Sequence, residues 1–128
     1  MSYYFAKMLD TPFDEAVGRV TEALKAEGFG VLTEIDIAAT FKKKLDVDFR
    51  PYRILGACNP GFAHKALSAE DKIGTMLPCN VIVQQHDDGR IEVSAVDPVA
   101  SMMGVGNPDL AGIAGEVREK LKTAIESL

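Results

Sequence analysis

Cys79-Asn80-Val81-Ile82-Val83-Gln84-Gln85-His86-Asp87-Asp88-Gly89-Arg90-Ile91-Glu92-Val93-Ser94-Ala95-Val96 is the stretch on which the fold turns. Two apolar runs, Cys79–Gln85 and Ile91–Val96, flank a turn that contains Asp88-Gly89. An Asp-Gly turn between such runs signals a β-hairpin, because glycine supplies the positive φ of a tight reversal. Working outward, Tyr3–Met8, Val31–Ile35 and Tyr52–Cys58 give three further candidate strands. Three helix starts are written alike, as a capping residue followed by proline: Thr11-Pro12, Asn59-Pro60 and Asn107-Pro108. A cap side chain accepts from an orphan backbone N–H, and proline gives up an N–H that had no partner. Phe13, Ala16, Val17, Val20 and Leu24 form one helical stripe; Leu110, Ile113, Ala114, Val117, Leu121, Ile125 and Leu128 form another. Both have the spacing of a helix with one buried face. A shorter helix is expected over Ile37–Leu45 with Asp36 as its cap. Its last turn carries Lys42, Lys43 and Lys44, where cations meet the negative end of the helix dipole. The order predicts an α+β fold: a mostly antiparallel five-stranded sheet with the long helices packed on one face. The other face then needs water, a partner chain or a ligand.

The 128 residues predict one domain, 1–128, with 47% hydrophobic and 26% charged residues, an ordinary globular balance. Nineteen acidic against 14 basic residues give a net charge of −5, which disfavours a nucleic-acid partner. No apolar run approaches the roughly 20 residues of a spanning helix, so no membrane role is expected. Met1–Lys7 lacks the basic and apolar blocks of a secretory signal, and two cysteines are too few for a disulfide scaffold. Together these point to the reducing cytoplasm.

The candidate chemistry lies in two near-matching segments, Leu55-Gly56-Ala57-Cys58-Asn59-Pro60 and Leu77-Pro78-Cys79-Asn80. If the third and fourth strands are antiparallel, Cys58 at the end of one and Cys79 at the start of the next share an edge of the sheet. His64, on the connecting helix, would then lie in the same region. Cys58 and Cys79 are the candidate nucleophiles, Cys58 the better of the two, because the N–H groups at a helix start stabilise a thiolate. The bland alternative is that both pack as small hydrophobes. Asn59 reads equally as a cap or a ligand contact, and Asn80 within an apolar strand calls for partners if its amide is buried. The candidate ligand-binding set is thus Cys58, Asn59, His64, Cys79 and Asn80.

Zinc is not expected. Cys58, Cys79, His64 and His86 are nominally four ligands, but His86 stands about 23 Å beyond Cys79 along an extended strand. An open site of the remaining three, Cys58, Cys79 and His64, is the minor alternative, though it has no recognised ligand spacing. The glycine-containing loop Met102–Pro108 lacks the preceding strand and third glycine of a dinucleotide fingerprint, and Asp109 would repel an anion. Met102 and Met103 can line a pocket or a partner surface, or fill core space.

The run Leu45–Pro60, with Ala63, Ala66 and Leu67, then Leu77–Val81 and Asp97-Pro98, resembles domain-of-unknown-function family 302 over essentially the whole chain. Thr75-Met76 departs from it, standing where more aliphatic residues are expected. The resemblance implies a small α+β fold similar to the TATA-binding-protein-like class, ordered strand, helix, four strands, helix, and assembled as a homodimer. It implies no activity, cofactor or catalytic residue. The functional expectation is a cytoplasmic homodimer binding a small molecule near the Cys58/Cys79 edge. The alternatives are a thiol-dependent redox or sulfur-handling enzyme or carrier, and a structural protein acting through a partner.

Overall fold

The Asp88-Gly89 hairpin lies at the centre of the sheet. In the computed structural model, which describes residues 2–128, β4 (Cys79–Gln85) and β5 (Ile91–Val96) pair antiparallel with Val83 opposite Val93. The turn between them closes with His86 N–H donating to the Arg90 carbonyl at 2.8 Å, and Gly89 takes φ +89°. β1 (Tyr4–Leu9) flanks β5, while β3 (Tyr52–Cys58) flanks β4 and β2 (Gly30–Asp36) flanks β3. The sheet order is β1-β5-β4-β3-β2, and every pairing is antiparallel. The register of β2 slips between Val31 and Thr33, leaving Leu32 as the extra residue of a bulge. Bulges of this kind bend a strand and increase its local twist.

One face of the sheet is covered. Leu55, Val81, Val83, Val93 and Ala95 alternate inward along their strands and are fully buried. They meet Ala16, Val20 and Leu24 of α1 (Phe13–Ala26) and Val117, Leu121, Ala124 and Ile125 of α5 (Pro108–Glu126). Both stripes fall where the helical period put them. α2 (Ile37–Leu45) begins on Asp36, whose carboxylate accepts from Ala39 N–H at 2.9 Å, and ends on Asp46 at φ +53°. In its last turn Lys42 pairs with Asp46 at 3.2 Å and Asp48 at 3.4 Å.

The cap-proline readings divide. Asn59 caps α3 (Pro60–Ala69), accepting from Phe62 N–H at 3.3 Å, and Asn107 caps α5, accepting from Asp109 N–H at 3.0 Å. Thr11 does not cap α1. Pro12 is extended, with ψ 153°, and takes the cap position itself. The helix therefore starts one residue late for the threonine to reach an amide, and Thr11 Oγ1 is buried without a hydrogen-bond partner. A fourth such start, Asp97-Pro98, opens α4 (Pro98–Met102), with Asp97 accepting from Val99 N–H at 3.0 Å. Short 3₁₀ turns at Ile73–Met76 and Met103–Val105 complete the chain.

The other face of the sheet is open. Tyr4, Asn80, Ile82, Glu92, Ser94 and Tyr52 border a shallow trough there. At its lower end a polar row crosses the strands: Arg50 Nε donates to Gln84 Oε1 at 2.9 Å, Gln84 Nε2 donates to Glu92 Oε1 at 3.4 Å, and His86 Nε2 lies 3.0 Å from the same oxygen. Arg50 also stacks over Phe49 and Tyr52.

Candidate functional site

The upper end of the covered face holds the site. β3 runs up to Cys58 and β4 starts down from Cys79, as the antiparallel pairing requires. Ala57 is the residue directly opposite Cys79, and Cys58 is one step further. That diagonal places the two cysteine Cα atoms roughly 6 Å apart, the span of neighbouring strands plus one residue of rise. Consecutive side chains leave a strand on opposite faces, so Ala57 shares the inward face of Cys79 while Cys58, half-buried, borders the site from the strand end. Both cysteines are free thiols; matched in the sequence, they are not joined by a disulfide.

Ala57, Cys58, Asn59, Pro78 and Cys79 border one hollow, closed below by Phe29 and Val117 and roofed by α3 and α5. From α3 come Phe62, Ala63 and Ala66; from α5, Ile113 and Ala114; from the end of α4, Met102. None of the lining residues is charged, and Asn59 is the only amide among them. The hollow is small. About 30 Å³ is open to the centre of a water molecule, room for about two waters.

Burial governs the chemistry of Cys79. Removal from water, and secondarily the neighbouring Cys58, push its thiol up from 9.0 to about 11. At neutral pH it therefore carries its proton, which removes it as the attacking group of a thiolate mechanism. Cys58 stands beside the first turn of α3 and is less buried.

Glycine holds this end together in two places. A side chain on Gly28, at φ +86°, would meet Asn59 Nδ2 at 2.9 Å. One on Gly56 would meet Thr33 Oγ1 at 2.2 Å and the Pro78 ring at 2.8 Å. Pro78 follows a cis Leu77–Pro78 bond.

Of the five residues expected to gather here, three do and two do not. Asn80 pairs with Gly56 on the opposite face of the sheet, exposed to solvent and bordering the trough, so its amide needs no buried partner. His64 is exposed on the outer side of α3. It lies two residues from both Phe62 and Ala66, about 200° around the helix from each, and so faces away from the hollow. His86 is at the far end of β4. Among the described residues no three His, Cys, Asp or Glu side chains gather into a metal-holding group, and the set Cys58, Cys79 and His64 is not assembled. Phe29 and Phe62 escaped the sequence reading, and Ala63 and Ala66 entered it only through the family resemblance and not as site residues; the apolar spacing of α5 was legible, but as core packing and not as a roof.

The chain matches the family described as Domain of unknown function DUF302 over residues 5–128. It belongs to the DUF302 family. Among solved structures, this DUF302 chain is similar to the crystal structure of an uncharacterized conserved DUF302 protein from Bacillus stearothermophilus. The identity is 28%, the coverage 98% of each chain and the TM-score 0.91. No curated protein matches the chain. The five-stranded antiparallel α+β architecture expected from the hairpin is thus the architecture of its relative as well. No helix among the described residues is long and apolar enough to cross a membrane.

Proposed function

We propose that this DUF302 chain is a cytoplasmic homodimeric domain that binds a small molecule at the Cys58/Cys79 end of its sheet. The observation that carries the reading is the hollow itself. It is a concave, uncharged space bordered by two thiols and one amide, at the meeting point of three helices and two strand ends. Ligand sites combine an apolar lining with a few polar groups in this way. A thermal-shift screen with uncharged metabolites tests it. A compound that raises the Tm of the parent should raise that of Cys58→Ala or Cys79→Ala less; a library in which nothing stabilises the parent overturns the reading.

Dimerisation is supported by the edge strand β2, where Leu32 is 67% and Ile35 45% exposed. Apolar side chains on an unpaired strand edge invite pairing with a second copy. Sedimentation of the parent as a dimer, and of Leu32→Lys/Ile35→Lys as a monomer, is expected; a monomeric parent removes this part of the proposal.

The neighbouring, unbonded thiols favour a second reading, thiol chemistry centred on Cys58. With an alkylating reagent near neutral pH, Cys58 should react and Cys79 should not. If Cys58 is also inert below about pH 8, thiol chemistry loses its nucleophile.

A further inference from the structure

The hollow beside the cysteines, as it stands, holds only about two waters, so a small molecule needs more room there, and a second space adjoins it. On the outer side of α4 and α5, a groove of about 350 Å³ is bordered by Val99, Met103, Asn107 and Leu110. Two residues border both spaces: Met102 and Ala114. Ala114 is on α5 and offers only a methyl group. Met102 ends α4, is half-buried, and carries an unbranched side chain with three rotatable bonds. It is therefore the movable part of the partition. No residue bordering the outer groove is charged, just as none borders the hollow.

Resting on the proposed ligand-binding reading of the Cys58/Cys79 hollow, we infer that the ligand is an uncharged, largely apolar molecule that enters from the outer groove when the Met102 side chain swings aside, joining the two spaces into one pocket. The charge restriction follows from the lining. A carboxylate or ammonium group placed there finds no charged side chain in the lining. Asn59 Oδ1 and Asn107 Oδ1 already accept from helix N–H groups, Asn107 Nδ2 already donates to the Ala69 carbonyl and Glu70, and burying an ion without a counter-charge is expensive. The joined space falls in the range that holds drug-sized ligands, whereas the hollow alone does not.

The test uses two fluorescent probes of nearly the same shape, uncharged phenylnaphthylamine and anionic anilinonaphthalene sulfonate, with parent, Met102→Ala and Met102→Leu proteins. Bound probe is read by fluorescence, and occupancy of the hollow by protection of Cys58 from alkylation. The parent should bind the uncharged probe at one site, at least tenfold more tightly than the sulfonate, with Cys58 protected. Met102→Ala should load it several-fold faster, and Met102→Leu, which keeps the wall, should behave as the parent does. Protection of Cys58 with loading rates unchanged in Met102→Ala leaves the hollow as the site and overturns the Met102 route. Equal binding of the sulfonate overturns the ligand class. A probe that binds without ever shielding Cys58 shows occupation of the outer groove alone and overturns the joined pocket; no binding to any of the three proteins overturns the pocket and the reading beneath it together.

Discussion

Cys79, at the head of β4, has a thiol whose proton is held to about pH 11 by burial first and the nearby Cys58 second. In the unfolded chain the same thiol ionises near 9.0. The folded state therefore keeps a proton that the unfolded state has lost between those values, so stability is full below about pH 9 and falls as pH rises toward 11. Two units correspond to about 2 to 3 kcal/mol. Chemical denaturation at pH 8 and pH 11 should show that loss in the parent and a smaller one in Cys79→Ala, the difference isolating this group from other alkaline titrations. Gly56 gives a second residue-scale expectation. Its absent side chain is the space occupied by Thr33 Oγ1 and the Pro78 ring, so Gly56→Ala should lower stability by about 1 to 3 kcal/mol, the range for overpacking. Thr33→Ser should not relieve it, because serine keeps the clashing oxygen. At this scale the sequence was legible in part. It placed Cys58 and Cys79 at one edge, but Asn80 and His64 required knowing which way a strand and a helix face. That is set by packing partners distant in the chain.

At the scale of the element, strand and helix ends were most legible where local chemistry fixes them. β3, β4 and β5 were read to the residue because proline, cysteine-asparagine pairs and the Asp-Gly turn bound them. α4 escaped notice because five residues do not complete two turns, too few for a period to show. Asn107 illustrates how a cap exceeds its local role. Its side-chain oxygen caps α5, while its Nδ2 donates to the Ala69 carbonyl at 3.1 Å and to Glu70 Oε1 at 3.2 Å. The end of α3 is thereby tied to the start of α5. Asn107→Asp keeps the cap acceptor, loses both donors and sets a second carboxylate against Glu70. Urea denaturation should find it at least as destabilised as Asn59→Ala, for which about 1 kcal/mol is expected.

For the whole molecule, the sheet order puts β4 between two neighbours on each side, with β1 and β2 at the margins. Native-state hydrogen exchange should therefore find the slowest amides in β4 and the adjoining parts of β3 and β5. β2, bulged at Leu32 and exposed along much of its length, should exchange first among the strands. Equal protection across all five strands would mean that the sheet opens only as a unit. The architecture was legible because element order and one hairpin with clear turn chemistry fix β4 against β5, whereas the direction of β3 stayed conditional until its antiparallel pairing with β4 was seen. The hollow was not, since it arises where α3, α4 and α5 converge, and no single stretch of the chain encodes that meeting.

The contact between Gly28 and Asn59 carries an evolutionary consequence. Gly28 follows the end of α1, and Asn59 opens α3; a methyl group at 28 would press on the amide at 59. These two positions are epistatic: a change tolerated at one depends on the occupant of the other. Gly28→Asn, a residue able to adopt positive φ, should be damaging alone and partly rescued by Asn59→Ser, whose shorter side chain still caps a helix. Lineages drifting at one of these sites are accordingly expected to move at both.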